Sequence, residues 1–297
     1  MAKRTKRRFD LRKTLFLLPN LITLSSIFCG FDAIVVASQA DGDEAQYYRA
    51  ALLIVFAMFF DMLDGRVARA TKTQSAFGLQ IDSLADVVSF GVAPSMLVYQ
   101  WTLHRLGTAG LIVSFVFTAM GAVRLARFNV LSMGEEGKPT RPSKYIVGLP
   151  TPGAAGILVS IVVANHAAAG LFGKAEYTWA ILAVTLLLSG LMVSTIRFRS
   201  FKEIKPNVRT VLFVSFVAGS SAVISAKLQP AFVLVWLLGC YVVMGICETL
   251  WQLPGRLRER AALSRESTPS SHDEAASGPI PRRPSGPPAP PDPPDSV

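Results

Sequence analysis

The sequence predicts an all-α protein: a polytopic membrane helix bundle of about eight transmembrane helices, followed by a disordered C-terminal tail rich in proline and serine. Three observations predict it. Hydrophobic residues make up 51% and charged residues 17%, with mean hydropathy +0.41, too apolar for an ordinary soluble chain. The apolar residues gather in runs of about 20, the length a helix needs to cross a hydrocarbon core of about 30 Å. The basic residues crowd alternate loops between those runs, the pattern that orients spans in a bilayer.

Taken in order, Met1–Lys13 is a basic arm with seven Lys and Arg residues, read as an anchor on the positive side of the membrane. RFDLRKTLFLLPN predicts a short amphipathic helix at the surface before Pro19. Hydropathy then places spans at roughly 18–38, 47–66, 82–103, 108–128, 150–170, 177–197, 208–226 and 230–252. The fifth is rich in Ala and Gly and carries Asn165 and His166. Basic residues mark the arm, the turn with Arg66, Arg69 and Lys72, and the loop with Arg124, Arg127, Lys138, Arg141 and Lys144. They recur at Arg197, Arg199, Lys202, Lys205 and Arg209, and at Arg256, Arg258 and Arg260. All five segments therefore belong on the cytosolic side together with both termini.

Beyond about residue 262 the chain is almost devoid of apolar side chains and cannot bury a core. The expected division is a basic arm over 1–13, a transmembrane domain over 14–252 and a cytosolic, mostly disordered tail over 253–297. The net charge of +10 is explained by residues beside apolar spans, where they set topology and attract anionic lipid, so no nucleic-acid partner is expected. Cys29, Cys240 and Cys247 lie in separate apolar segments, which argues against a disulfide framework or a zinc site. No cleavable signal peptide is expected, because a long basic start leads into a span without a small-residue cleavage site.

The chemistry is concentrated in DMLDGRVARATKTQSAFGLQIDSLAD, Asp61 to Asp86. At 100° per residue, Asp61, Asp64, Gly65 and Ala68 fall within about 100° on one helix face. Gly78, Asp82 and Asp86 follow at intervals of four and form a stripe on a second helix. Opposing those faces brings four carboxylates into one pocket at a membrane boundary, where ionised groups are costly and mark function. Four carboxylates repel one another unless cations offset them, and hard divalent ions suit such oxygen ligands. Each aspartate alone reads as a helix cap or a solvated residue. That reading leaves the matching faces and the small residues Gly65, Ala68 and Gly78 unexplained. With residue frequencies near 5–8%, the eight fixed positions coincide by chance on the order of 10⁻¹⁰ per start site.

This pattern, D-x2-D-G-x2-A-R-x8-G-x3-D-x3-D, resembles the signature of the CDP-alcohol phosphotransferases at every fixed position. LPNLITLSSIFCG (Leu18–Gly30), SFGVAPS (Ser89–Ser95), RLARFNV (Arg124–Val130) and GLPTPGAAG (Gly148–Gly156) resemble the branch of that family that uses serine as acceptor. The likeness extends over roughly residues 14–250. It implies an integral membrane enzyme that moves the phosphatidyl group of CDP-diacylglycerol to L-serine, yielding phosphatidylserine and CMP. The alternative is the same chemistry with glycerol 3-phosphate, inositol phosphate or choline. By resemblance, Asp61, Asp64, Asp82 and Asp86 hold two Mg²⁺ or Mn²⁺ ions, and Asp86 also serves as general base. Asp64, Gly65, Ala68, Arg69 and Gly78 belong to the CDP site, with Arg69 either a helix-end anchor or a phosphate contact. The family also implies a homodimer among membrane lipids.

For the acceptor, Arg124 and Arg127 lie three residues apart on one helical face. They are candidates for the serine carboxylate or the donor phosphate, beside a plain topological role; Lys144 and Arg197 are further candidates. Ser83, Ser89, Ser95 and Thr151 read mainly as helix-packing hydroxyls. The histidines, His104, His166 and His272, are not followed two residues later by lysine, which disfavours a paired HxK phosphohistidine mechanism and favours direct displacement. A transporter using the acidic cluster would need neither the Gly65, Ala68 and Gly78 pattern nor its spacing, and no inverted repeat accompanies it.

Overall fold

The computed structural model describes residues 11–73, 75–132 and 145–199, and the scattered positions 217, 219–221, 223–224, 232–233, 235–240 and 243, all of them helical. The arm before Leu11, Lys144, the rest of the seventh and eighth expected spans, and the tail lie outside the described residues. Seven α-helices appear among the described residues: α1 (Leu11–Ser38), α2 (Glu44–Thr71), α3 (Ala76–Asp86), α4 (Ala93–Trp101), α5 (Thr108–Ser132), α6 (Thr151–Ala167) and α7 (Thr178–Val193). A π-helical turn, Val87–Val92, joins α3 to α4, so that 76–101 is one continuous rod. Four segments are long and apolar enough to cross a membrane: Leu18–Ser38, Ala76–Trp101, Thr108–Val130 and Ala175–Val193. The protein is a membrane protein. α2 has the length but carries Arg49, Asp61 and Asp64 among its apolar residues, and α6 is a shorter apolar helix.

Three expectations are corrected. α1 runs unbroken from Leu11 through Pro19, without a separate surface helix before the proline. Proline inside a membrane helix is tolerated because neighbouring groups take up the freed backbone carbonyl. The third span begins at Ala76, six residues before the expected Asp82, because Ser75 caps α3: its Oγ accepts the Gly78 N–H at 2.9 Å. The sixth expected span, α7, stops at Val193 rather than at 197. Residues Arg197–Arg199 instead pair antiparallel with Tyr145–Val147 as a short ribbon, β2 on β1, with Val147 opposite Arg197. Gly148 closes this ribbon with φ +79°, and a Cβ there would lie 2.3 Å from the Met192 carbonyl oxygen, so only glycine fits.

Small residues let the helices close on one another. α1 packs along α2, α2 against α6, and α5 against α7. Ala50, Ala51, Ile54 and Ala57 of α2 are fully buried, the low-volume face that membrane helices use in place of a hydrophobic driving force. Where α1 crosses the π turn, Ser26 Oγ donates to the Ala57 carbonyl at 3.0 Å and Ser89 Oγ donates to the Ser26 carbonyl at 3.0 Å. At the same crossing a Cβ on Gly30 would stand 2.8 Å from Ser89 Cα. That distance is below any relaxed contact with backbone, so the helices must separate to admit a side chain.

At the opposite end from the acidic stretch, polar groups tie loops to helices. Asn165 Nδ2 donates to Glu44 Oε2 at 2.6 Å, while Asn165 Oδ1 accepts the Gly173 N–H at 2.8 Å. Arg105 Nη1 donates to the Gly173 carbonyl at 2.6 Å, and Tyr47 donates to the Gln100 carbonyl at 2.8 Å. The Asn165 of the expected fifth span is thus a buried clamp at the end of α6.

Gly30→Val is expected to destabilise the fold by about 1–3 kcal/mol, the usual range for overpacking. Gly190→Val on α7, where a Cβ meets nothing within 4 Å, is the control. Thermal unfolding in detergent checks this: a clear drop for Gly30→Val and little change for Gly190→Val is the expected pair.

Candidate active site

The turn between α2 and α3 creates the site. α2 ends at Lys72, whose φ of 54° reverses the chain while its N–H returns to the Ala68 and Arg69 carbonyls. α3 starts at Ala76, so little chain separates the two helices. Asp61 lies ten residues before the end of α2 and Asp86 ten after the start of α3; Asp64 and Asp82 stand at seven and six. Equal rise along two helices leaving one turn brings the pairs to matching depth. Asp61, Asp64 and Asp82 accordingly each offer a carboxylate oxygen, all within 4.8 Å of one another. Asp86 completes the group: Asp61 and Asp82 are the like charges that bear on it, and Arg124 is the opposite charge.

The π turn aims the second pair. Residues 11 apart in an unbroken α-helix share a face to within about 20°. Asp82 and Asp86 would therefore point with Ala93 and Leu97, both buried in the core. A π turn widens the winding by about one residue and offsets the two ends by roughly 100°. The carboxylates thus face the pocket while α4 keeps its apolar stripe inside. The turn is held by side chains: Thr118 Oγ1 of α5 donates to the Gly91 carbonyl at 3.2 Å, and Ser95 Oγ, 2.8 Å from Thr118 Oγ1, lies 2.9 Å from the Val92 carbonyl.

The residues fit a hard divalent cation. Their donors are carboxylate oxygens converging from two helices, and Asp86 Oδ1 is buried without a hydrogen-bond partner. An unpaired buried carboxylate oxygen beside other acids is strongly unfavourable unless a positive charge joins it.

Around the acids the walls are small. The Arg69 guanidinium folds back over Gly65, with Nη1 3.5 Å from where a Cβ would sit, and so lies beside Asp64. Gly78 leaves its space to Asn20, whose Oδ1 would be 3.7 Å from a Cβ there. α1 is thus a third wall, which the acidic pattern does not reveal. Its Thr23 is buried and donates to Asp64 Oδ2 at 2.6 Å. Asn20, Thr23 and Ser26 follow one another at intervals of three among Leu, Ile and Phe, a sequence sign of a polar stripe on this helix. From α5, Asn129 Nδ2 donates to Ser83 Oγ at 2.9 Å and braces α3 between Asp82 and Asp86.

Of the basic candidates, Arg124 is half-buried, donates to Thr151 Oγ1 at 3.1 Å and faces Asp86. Arg127 is exposed and reaches the Val193 carbonyl at 3.4 Å, away from the acids. The backbone of Arg197 lies in β2, its side chain outside the described residues, as is Lys144. The hydroxyls of Ser83, Ser89, Ser95 and Thr151 all join helices to one another. Beside the acids, an apolar groove lined by Leu21, Leu24, Ser25, Phe28, Cys29 and Phe60 follows the seam of α1 and α2.

The sequence is similar to those of known proteins. The chain is 39% identical over 237 residues to a Helicobacter pylori protein named CDP-diacylglycerol–serine O-phosphatidyltransferase, a match covering 80% of this chain and 92% of that one. Proteins of the same name from Bacillus subtilis (35% identity; 63% of this chain, 92% of the relative) and Methanocaldococcus jannaschii (32%; 81% and 97%) are also similar. Residues 16–196, which hold all four aspartates and the helices that carry them, match the profile of the CDP-alcohol phosphatidyltransferases, and the chain belongs to that family.

Proposed function

We propose that the protein transfers the phosphatidyl group of CDP-diacylglycerol to the hydroxyl of L-serine, forming phosphatidylserine and releasing CMP. The observation that carries the acceptor is the similarity, over about four-fifths of the chain, to proteins named for that reaction in H. pylori and M. jannaschii. The four-aspartate pocket supports the chemistry, and the apolar groove beside it suits an acyl chain of the lipid donor.

In this reading Asp61, Asp64, Asp82 and Asp86 hold Mg²⁺ or Mn²⁺ as a two-metal site. The ions, when bound, offset charge on the phosphate oxygens and on the departing CMP. Asp64, Gly65, Ala68, Arg69 and Gly78 receive the CDP portion. Gly65 and Gly78 bring no side chain of their own to the site, so Arg69 and Asn20 border it there, and the Arg69 guanidinium beside Asp64 suits a phosphate contact. The serine oxygen forms a bond to the donor phosphorus as the bond from phosphorus to the CMP oxygen breaks. Asp86, at the edge of the cluster, takes the hydroxyl proton. Arg124, facing Asp86, suits the serine carboxylate or the donor phosphate; Arg127, Lys144 and Arg197 are weaker candidates for the same role.

The eight-span arrangement, with both termini and the acids on the cytosolic side of a prokaryotic cell membrane, rests on the charge pattern of the loops. The division into arm (1–13), membrane domain (14–252) and tail (253–297) and the homodimeric assembly belong to the same proposal.

Membranes given labelled CDP-diacylglycerol and a panel of alcohols are expected to form phosphatidylserine and CMP with serine. Product with glycerol 3-phosphate but not serine would overturn the acceptor. EDTA is expected to abolish turnover, and Mg²⁺ or Mn²⁺ to restore it; full turnover in chelator without tightly bound metal contradicts the metal site.

The aspartates should separate by role. Asp86→Asn is expected to keep CDP-diacylglycerol affinity in the presence of metal while losing about 10²–10⁴ in turnover, the usual contribution of a general base. Asp61→Asn and Asp82→Asn should weaken metal and nucleotide binding together. Affinity and turnover measured side by side over a Mg²⁺ titration decide the matter: recovery of Asp86→Asn in excess Mg²⁺ makes Asp86 a ligand only.

A further inference from the structure

Thr23 stands on α1, outside the acidic signature, and its hydroxyl has two acceptors in reach. The Pro19 carbonyl is 3.1 Å away and Asp64 Oδ2 is 2.6 Å away. A threonine in an apolar helix ordinarily returns its proton to the carbonyl four residues back. Here the shorter contact goes to a carboxylate on another helix, and a charge-assisted bond outcompetes a neutral one for the single proton. Thr23 and Asp64 are both about nineteen-twentieths buried, at 4% and 5% exposure, so water does not replace this bond. Branching at Cβ restricts the Thr23 side chain, and α1 is fixed by its long packing against α2. The position of the hydroxyl is therefore set by the fold.

Resting on the metal-dependent reading above, we infer that Thr23 is a positioning residue for Asp64: by holding Oδ2 it fixes the carboxylate plane and leaves the other oxygen to the cation shared with Asp61 and Asp82. Asp61 and Asp82 are only half-buried, whereas Asp64 is buried, so its orientation depends on protein partners rather than on water. Groups that orient a metal ligand from behind typically contribute 10–100-fold in metal affinity. α1 therefore contributes to the metal site without supplying a ligand.

The test is Mn²⁺ binding to purified, detergent-solubilised full-length protein, followed by electron paramagnetic resonance without substrate, beside thermal unfolding. Thr23→Val keeps the shape and removes the hydroxyl; Thr23→Ser keeps the hydroxyl; Thr23→Ala replaces the valine variant should that one not fold. The expected result is an Mn²⁺ dissociation constant raised about 10–100-fold in Thr23→Val or Thr23→Ala and near wild type in Thr23→Ser. A role in packing alone would instead lower unfolding temperatures with Mn²⁺ affinity unchanged, and that result overturns the inference. So does an equal loss of affinity in Thr23→Ser. Wild-type protein that binds no Mn²⁺ overturns the metal site itself, a failure distinguishable because it appears before any substitution.

Discussion

Mutual repulsion among four carboxylates brought together from two helices is the constraint from which the rest of this structure follows. Charges of one sign a few ångströms apart interact strongly where water is scarce. A fold that keeps Asp61, Asp64 and Asp82 within 4.8 Å of one another must hold them there by other contacts. Those contacts are the cap at Ser75, the left-handed reversal at Lys72, the bond from Thr23 and the brace from Asn129. Each fixes a helix end or a side chain near the acids.

That rigidity is built from small residues. Membrane helices gain little from excluding lipid, so close backbone approach and interhelical hydrogen bonds must supply cohesion. The contact of Gly30 with Ser89 and the alanine face of α2 provide the approach; Ser26, Ser89 and Thr118 provide the bonds. Packing and site are one structure here, because Ser89 and Thr118 both belong to the π turn or its support and the π turn follows Asp86 directly.

The acids were legible because helical spacing is a local property. Asp61, Asp64, Asp82 and Asp86 announce two faces from short intervals in the chain, and the structure joins those faces. The four helices long and apolar enough to cross a membrane were legible for the same reason, through composition over about 20 residues. What stayed hidden depends on long-range partners. Thr23 finds Asp64 across 41 residues of sequence, and a threonine in an apolar run carries no mark of its acceptor. The ribbon joins Tyr145–Val147 to Arg197–Arg199 across two intervening helices, so hydropathy carried the sixth expected span past Val193 to Arg197, the first residue of β2. Arg124 and Arg127 share a helical face as expected, yet the half-buried Arg124 turns to Thr151 and Asp86 while the exposed Arg127 reaches the Val193 carbonyl, a difference of partners that spacing does not carry.

The π turn at Val87–Val92 has a consequence for how such a chain can vary. It acts as a phase shifter between a reactive rod and a structural one, so the number of residues from Asp86 to Ala93 matters independently of their identity. Removing or adding one residue there would swing Asp82 and Asp86 by about 100° relative to the core face of α4, even with every side chain otherwise kept. Substitutions in the turn are felt as local packing changes, whereas indels detune the whole angular relation between catalysis and fold. Length, more than composition, is what this segment encodes.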